Sequence, residues 1–174
     1  MASIIKVDTI QTAAGGTATA GGLGITGTGK VLQVVHATAT SQVTNNTTSF
    51  VDTGLSGTIT PTSTSSKIVV IISQHMEIDR DSNTNGSHYK VLRDTTSLMS
   101  TGEHALKSEA SGGSVGTVKV ATFMHFNFLD EPSSTSALTY KTQAKPNTTS
   151  NNCIVRLNRD GNHHAHMTLI EIAG

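Results

Sequence analysis

The amino-acid sequence predicts an all-β fold, a jelly-roll-like β-sandwich that carries an extended N-terminal arm and assembles as a homotrimer. Two observations predict the β fold. Only 14% of the 174 residues are charged and 3% are aromatic, and there is no tryptophan, whereas Ser, Thr and Gly are plentiful. After Lys30, apolar and polar residues alternate along most of the chain, which is typical of strands with one buried face. Long runs of Ala, Leu, Glu and Lys, which favour helices, are missing.

Residues 1–29 are predicted to form the arm and its linker. The first twelve residues, MASIIKVDTIQT, are β-prone, and the Gly-, Ala- and Thr-rich stretch that follows has few side chains able to fill a core. We interpret this segment as one that becomes ordered only against a partner. Its β-branched apolar residues are the candidate anchor of the arm: Ile4, Ile5, Val7 and Ile10.

Residues 30–174 are predicted to form the β-sandwich domain, with eight or nine strands separated by turn signals. Residues 117–128 show the clearest alternation, and residues 67–79 indicate a strand buried on both faces at one end, with Gln74 as a polar exception. The pattern predicts two short strands in residues 47–60 around Asp52 and Gly54, and a polar hairpin tip at Asn85 and Gly86. Further strands are predicted at residues 30–40, 137–145, 152–158 and 163–172.

The small aromatic content predicts self-association. Little apolar surface is available per residue, so a domain of this kind gains stability by pooling its core with copies of itself. Composition leaves the number of copies open, and our interpretation is three.

Charge and hydropathy exclude several classes of function. The net charge of +0 leaves no basic patch for a phosphate backbone, so nucleic-acid binding is not expected. No apolar run is long enough for a signal peptide or a membrane span, so we expect neither export by that route nor membrane insertion. The single cysteine, Cys153, cannot form an internal disulfide and is expected to be a small buried hydrophobe.

The eight histidines raise the question of a metal site. His164 and His166 lie two residues apart on one face of a predicted strand, and three copies at a threefold axis would bring six imidazoles together, enough for a transition metal. The favoured alternative is a solvated or interface strand with ordinary histidines, because a metal site also needs supporting partners. His75 and His125 are predicted on outward faces of two long strands. If those faces lie in a subunit interface, acid pH is expected to charge both residues and weaken it.

Motifs typical of catalysis are missing from the sequence. There is no G-x-S-x-G nucleophile elbow, and the Gly-rich residues 112–116 lack the Lys-Ser/Thr ending of a phosphate loop. Residues 81–86 resemble half of a calcium loop, but Leu92 stands where that loop needs a glutamate. We therefore expect no enzyme and no bound cofactor.

Several stretches together resemble a known group of proteins. The stretches IIKVDTIQ (residues 4–11), GKVLQVV (29–35), FVDTGLS (50–56), ITPTSTSSKI (59–68) and TLIEIAG (168–174) are similar, in this order, to small tail-fibre-like proteins of marine bacteriophages, including those infecting cyanobacteria. The resemblance implies a virion appendage, assembled in the host cytoplasm, whose arm attaches to the particle and whose β-domain is displayed.

The resemblance leaves the place on the particle open. A chain of 174 residues has no room for a long shaft, so a short trimeric appendage fits best, in contact with itself and, through residues 1–29, with other virion proteins. Such an appendage could contact a host receptor or glycan. The alternatives are a capsid decoration (cement) or head-fibre protein, then a carbohydrate-binding module, and last an enzyme.

Overall fold

A computed structural model describes residues 29–81, 85–102, 105–108 and 116–174. These residues form β-strands, turns, loops and two short 3-10 helices, Ser150–Asn152 and Arg159–Gly161. The predictions made for residues 1–28 and for the glycines at 112 and 113 lie outside the described residues. Within them no helix is long and apolar enough to cross a membrane. The strands are β1 (Val31–Ala39), β2 (Val43–Asn45), β3 (Val51–Ile59), β4 (Lys67–Asp81), β5 (Asn85–Arg93), β6 (Thr96–Ser100), β7 (Leu106–Ser108), β8 (Thr117–Asp130), β9 (Leu138–Pro146), β10 (Ile154–Leu157) and β11 (Ala165–Ile172).

The strands form two antiparallel sheets packed face to face, which confirms the predicted all-β sandwich. In the larger sheet, β8 pairs with one edge of β4, and β11 and β10 pair in succession with the other edge. β1 then pairs with β11, and β2 with β10. The smaller sheet has the order β3-β9-β5-β6, with β7 also paired to β5.

The main strands pair in a nested order. When the three short strands β2, β7 and β10 are set aside, the first of the remaining strands pairs with the last, β1 with β11. The second pairs with the next to last, β3 with β9, and the following pairs are β4 with β8 and β5 with β6. The described chain therefore follows the path of one long hairpin that is folded over into two sheets.

The core lies between the sheets and is built from alternate residues of the strands. The even-numbered residues Ile68, Val70 and Ile72 of β4 are buried, as are Met167 and Leu169 of β11. These β-branched and long aliphatic side chains supply most of the interior.

The expectation for Cys153 is confirmed. The thiol is free and buried, and burial raises its pKa to about 11.

A buried polar network connects the two sheets. Gln74 of β4 donates a hydrogen bond from Nε2 to Oδ1 of Asn158 at 2.7 Å, and its Oε1 accepts one from Thr53 at 3.2 Å and one from Thr142 at 3.4 Å. Asn158 donates in turn to the carbonyl oxygens of Thr53 and Ser41. Because each buried amide has partners, Gln74 can replace an apolar residue in the core without leaving its amide unpaired.

Two sequence predictions are wrong. Residues 51–59 form one strand, β3, instead of two, because a bulge between Asp52 and Ser56 absorbs the turn signal, with Gly54 at a φ of +85°. The hairpin predicted at Asn85 and Gly86 is also absent, because β4 and β5 belong to different sheets and Gly86 lies inside β5.

Truncating a core side chain tests this packing. The change Leu169→Ala is expected to lower the free energy of unfolding by about 2–5 kcal/mol, because it leaves a cavity between the sheets. Chemical denaturation at fixed protein concentration, followed by far-UV circular dichroism, measures the loss. Thr96→Ala on an exposed strand is the control and should change stability by less than about 0.5 kcal/mol. Equal losses in both variants would contradict the assigned core.

Candidate assembly surface

The larger sheet turns its outer face, defined here as the side chains of β1, β11, β4 and β8 that point away from the core, toward solvent. The large apolar side chains that are exposed in the described part of the chain all belong to this sheet: Val31, Leu32, Val34, Ile71, Phe123 and Leu129. Soluble monomers rarely leave such side chains together in one patch, so the outer face is a candidate contact surface.

One row of apolar residues crosses all four strands of this face. The registers place Val34 of β1 beside Ile170, Ile170 beside Val69, and Val69 beside Leu129 of β8. Val34 is 58% exposed and Leu129 is 50% exposed. At a spacing of about 4.8 Å between strands, this apolar row spans about 14 Å. Ile71 lies beside it on β4, so the apolar area is continuous.

A band of histidines lies across the middle of the same face. The rings of His36 and His166 are stacked with centroids 5.5 Å apart, and those of His75 and His163 are 4.3 Å apart. His125 follows on β8, at the residue paired with Ser73. The fold thus collects on one surface histidines that are far apart in the sequence.

The two histidines proposed as metal ligands lie at one side of this band. His164 precedes β11 and His166 is inside it, with ring centroids 6.3 Å apart. Nε2 of His164 lies 2.8 Å from the carbonyl oxygen of Gly161, and Nδ1 of His166 lies 3.3 Å from Oγ1 of Thr38. No group of three or more His, Cys, Asp or Glu side chains in the described segments is placed to hold a metal ion. A site shared between copies stays a prediction.

His75 points to the outer face but is only 3% exposed, because His163 and Phe123 lie against it. Burial lowers the pKa of His75 below its ordinary value of 6.5, and the charge of His163 lowers it further. Its Nδ1 is buried without a hydrogen-bond partner. The alternation of residues in β4 predicts the outward direction of this side chain, but only tertiary contacts account for its burial.

An ion-pair cluster borders the histidine band. The buried carboxylate of Glu77 accepts hydrogen bonds from Arg156, at 3.1 Å, and from Arg159. Arg156 also donates to Asp79 at 2.6 Å, and this hydrogen bond raises the pKa of the Arg156 guanidinium. The pairing satisfies a carboxylate that would be costly to bury alone. The cluster therefore has a structural role at this end of the outer face.

Gly29 and Lys30, at the start of the described residues, lie at the β1 edge of the larger sheet. The backbone N–H of Gly29 donates to the carbonyl oxygen of Ala173 at 2.9 Å, and the N–H of Ala173 donates to that of Lys30 at 2.8 Å. The start of β1 is thus held against the end of β11. The candidate anchor residues lie outside the described residues: Ile4, Ile5, Val7 and Ile10.

Sequence comparison places the chain in no family: no family model matches it, and no curated protein matches it. Two solved chains are similar in structure. One, from the IBDV viral particle, is 11% identical, with 81% of this chain and 35% of that chain covered and a TM-score of 0.33. The other, from particles derived from infectious bursal virus, is 12% identical, with 82% and 36% covered and a TM-score of 0.34. The present chain spans about a third of the length of those chains. Likeness this distant indicates no shared function.

The buried His75 predicts a pH dependence of stability. Because its pKa is lower in the folded than in the unfolded chain, the unfolded chain binds the proton more readily, so stability falls as the pH drops below about 6.5. His75→Leu should reduce the loss of unfolding free energy between pH 7 and pH 5, measured by chemical denaturation. His125→Leu, an exposed histidine of the same face, is the control and should keep most of that loss. An unchanged slope in His75→Leu would count against this role.

Proposed function

We propose that this protein is a structural component of a bacteriophage virion: a homotrimer of jelly-roll domains, each anchored by its N-terminal arm. The observation that carries the proposal is the nested pairing of the main strands, β1 with β11, β3 with β9, β4 with β8 and β5 with β6. Folding a long hairpin into two sheets in this way is the topology of a jelly roll, which viral capsid domains and lectins use. A fold alone does not determine a function. The choice between a viral structural domain and a lectin therefore depends on the residues at the surface.

The surface favours a structural role over sugar binding. Sugar-binding sites usually stack aromatic rings on the ligand. The chain has two tyrosines and no tryptophan, and both tyrosines, Tyr89 and Tyr140, are fully buried. Phe123 is an exposed phenylalanine, but it lies against His75 on a sheet face and not in a cleft. A carbohydrate-binding module is therefore the weaker candidate.

The apolar row supports self-assembly. Val34, Ile71 and Leu129 leave apolar area on the outer face that contact with another copy would remove from water, at about 25 cal/mol per Å². The sequence resemblance to phage appendage proteins, together with this surface, supports a homotrimer in the particle. The histidine band lies beside the apolar row, so burying the interface would also bring these imidazoles together.

The arm supplies the attachment in this proposal. Residues 1–29 bind neighbouring virion proteins, and the domain from residue 30 onward is displayed on the particle. A short tail appendage that contacts the host surface is the first candidate, and a head decoration protein is the second. We propose a structural role and not catalysis for either placement.

The oligomeric state tests the assembly surface. Light scattering on the purified protein is expected to give about 54 kDa, three times the chain mass of 18.1 kDa. The double variant Val34→Asp, Ile71→Asp should shift the mass toward that of a single chain. The apolar area of the outer face would then carry two charges that must be desolvated in the interface. Ser56→Asp on the exposed face of the smaller sheet is the matched control and should stay trimeric. A wild-type monomer would contradict the proposal.

Particle incorporation tests the arm. A chain lacking residues 1–12 is expected to fold but to be missing from purified particles, as measured by mass spectrometry of the particles. The properties of particles that lack the protein then distinguish a tail appendage from a head decoration protein. Intact heads that no longer adsorb to host cells indicate the tail, whereas heads that burst more easily but still adsorb indicate a decoration protein. Full incorporation of the truncated chain would refute anchoring by the arm.

A further inference from the structure

The longest free strand edge in the described part of the chain belongs to β8. All of its residues from Thr117 to Asp130 pair with β4, without a register shift, and no other described strand pairs with it. The opposite edge of β8 therefore presents a row of backbone N–H and C=O groups over 14 residues. This edge is called the free edge below.

The free edge has little of the usual protection against strand addition. Native proteins protect such edges with proline, bulges, short strands or charged side chains, lysine especially. β8 contains no proline and no bulge, and only two of its 14 residues are charged. These are Lys119, which lies 3.7 Å from Asp79, and Asp130, which is held by Arg93 at 2.6 Å. A long edge with so few charges fits a strand from a partner.

The side chains beside the free edge are apolar on both faces of the sheet. Phe123 and Leu129, 42% and 50% exposed, lie on the outer face. Phe126 and Phe128, on the inner face, are only partly buried against the core. A strand that completes this edge should therefore carry apolar side chains on both of its faces.

Residues 3–10 of the arm have that pattern. In an extended strand, Ile5 and Val7 point to one face, whereas Ile4 and Ile10 point to the other. All are β-branched, which favours a strand. Surface strands commonly capture a partner segment in this way, since backbone hydrogen bonds provide affinity and alternate side chains provide specificity.

The linker, residues 11–28, is long enough to carry the arm across the larger sheet. The arm is rooted where Gly29 pairs with Ala173, on the opposite side of the larger sheet from β8. The sheet is about 14 Å wide between β1 and β8. The Gly-rich residues between the arm strand and Gly29 have a root-mean-square span of about 23 Å as a flexible chain, and several times that when extended. The linker is thus longer than the width of the larger sheet, as binding to a neighbouring copy in the proposed trimer requires.

We propose that residues 3–10 of one copy add as an extra strand to the free edge of β8 in a neighbouring copy. The inference rests on the proposed trimer, and in it the virion protein that residues 3–10 bind is a neighbouring copy of this chain. Ile5 and Val7 on one face and Ile4 and Ile10 on the other cover the apolar side chains beside the edge. Copies linked in this way are held by backbone hydrogen bonds as well as by apolar contacts.

The test uses the chain lacking residues 1–12 and a synthetic peptide of residues 1–12. The peptide is expected to bind, by fluorescence anisotropy, and to slow hydrogen–deuterium exchange in residues 117–130. Leu129→Lys in the truncated chain should weaken binding by about tenfold or more, because it places a charge beside the added strand. Ser56→Lys, at an exposed position of β3 in the smaller sheet and outside the assembly surface, is the control and should bind normally.

Two results would overturn the inference while the proposed function stands. One is a peptide that does not bind, together with a full-length trimer whose β8 exchanges as fast as in the truncated chain; a second copy or another virion protein would then hold the arm elsewhere. The other is equal loss of binding in Leu129→Lys and Ser56→Lys, which would show that binding does not depend on the free edge. The proposed function itself would fail on different results. These are a wild-type protein that is a monomer by light scattering, or one that is missing from wild-type particles by mass spectrometry.

Discussion

The fold depends on the pairing of β4 along both of its edges. This strand of 15 residues binds β8 over its whole length on one side, and β11 and then β10 on the other. Its even-numbered residues, such as Val70, fill the interior, while its odd-numbered residues form the middle of the outer face. A single strand thus fixes the position of the core and of the surface, because backbone hydrogen bonds set the register of every neighbour.

Polar groups in the interior make the packing specific. Gln74, Thr53, Thr142 and Asn158 connect strands of both sheets through hydrogen bonds that only one relative position of the sheets satisfies. An interior of aliphatic residues alone tolerates shifts, whereas an unpaired buried amide costs about 1–3 kcal/mol. The network therefore compensates for an aromatic content of 3% by fixing how the sheets meet.

The apolar area of the outer face follows from the alternation of residues along the strands. β4 begins with apolar residues on both faces, so Val69 and Ile71 are turned outward, and β1 and β8 place Val34 and Leu129 in the same area. In a monomer this apolar area stays exposed to water, which is unfavourable. The proposed assembly would bury it and so add to the small apolar core of each copy. The lowered pKa of the buried His75 makes the same face sensitive to acid.

The sequence by itself determined the general class of fold and the long strands β4 and β8, with the faces of their side chains, because a two-residue period is a local property of extended backbone. It predicted that Cys153 is a small buried residue, which the structure confirms. It could not show that β4 and β5 enter different sheets, that Gln74 has partners, or that six histidines share one face. Those features depend on which strands become neighbours, and that choice is made by contacts between residues far apart in the chain, which only the tertiary structure contains.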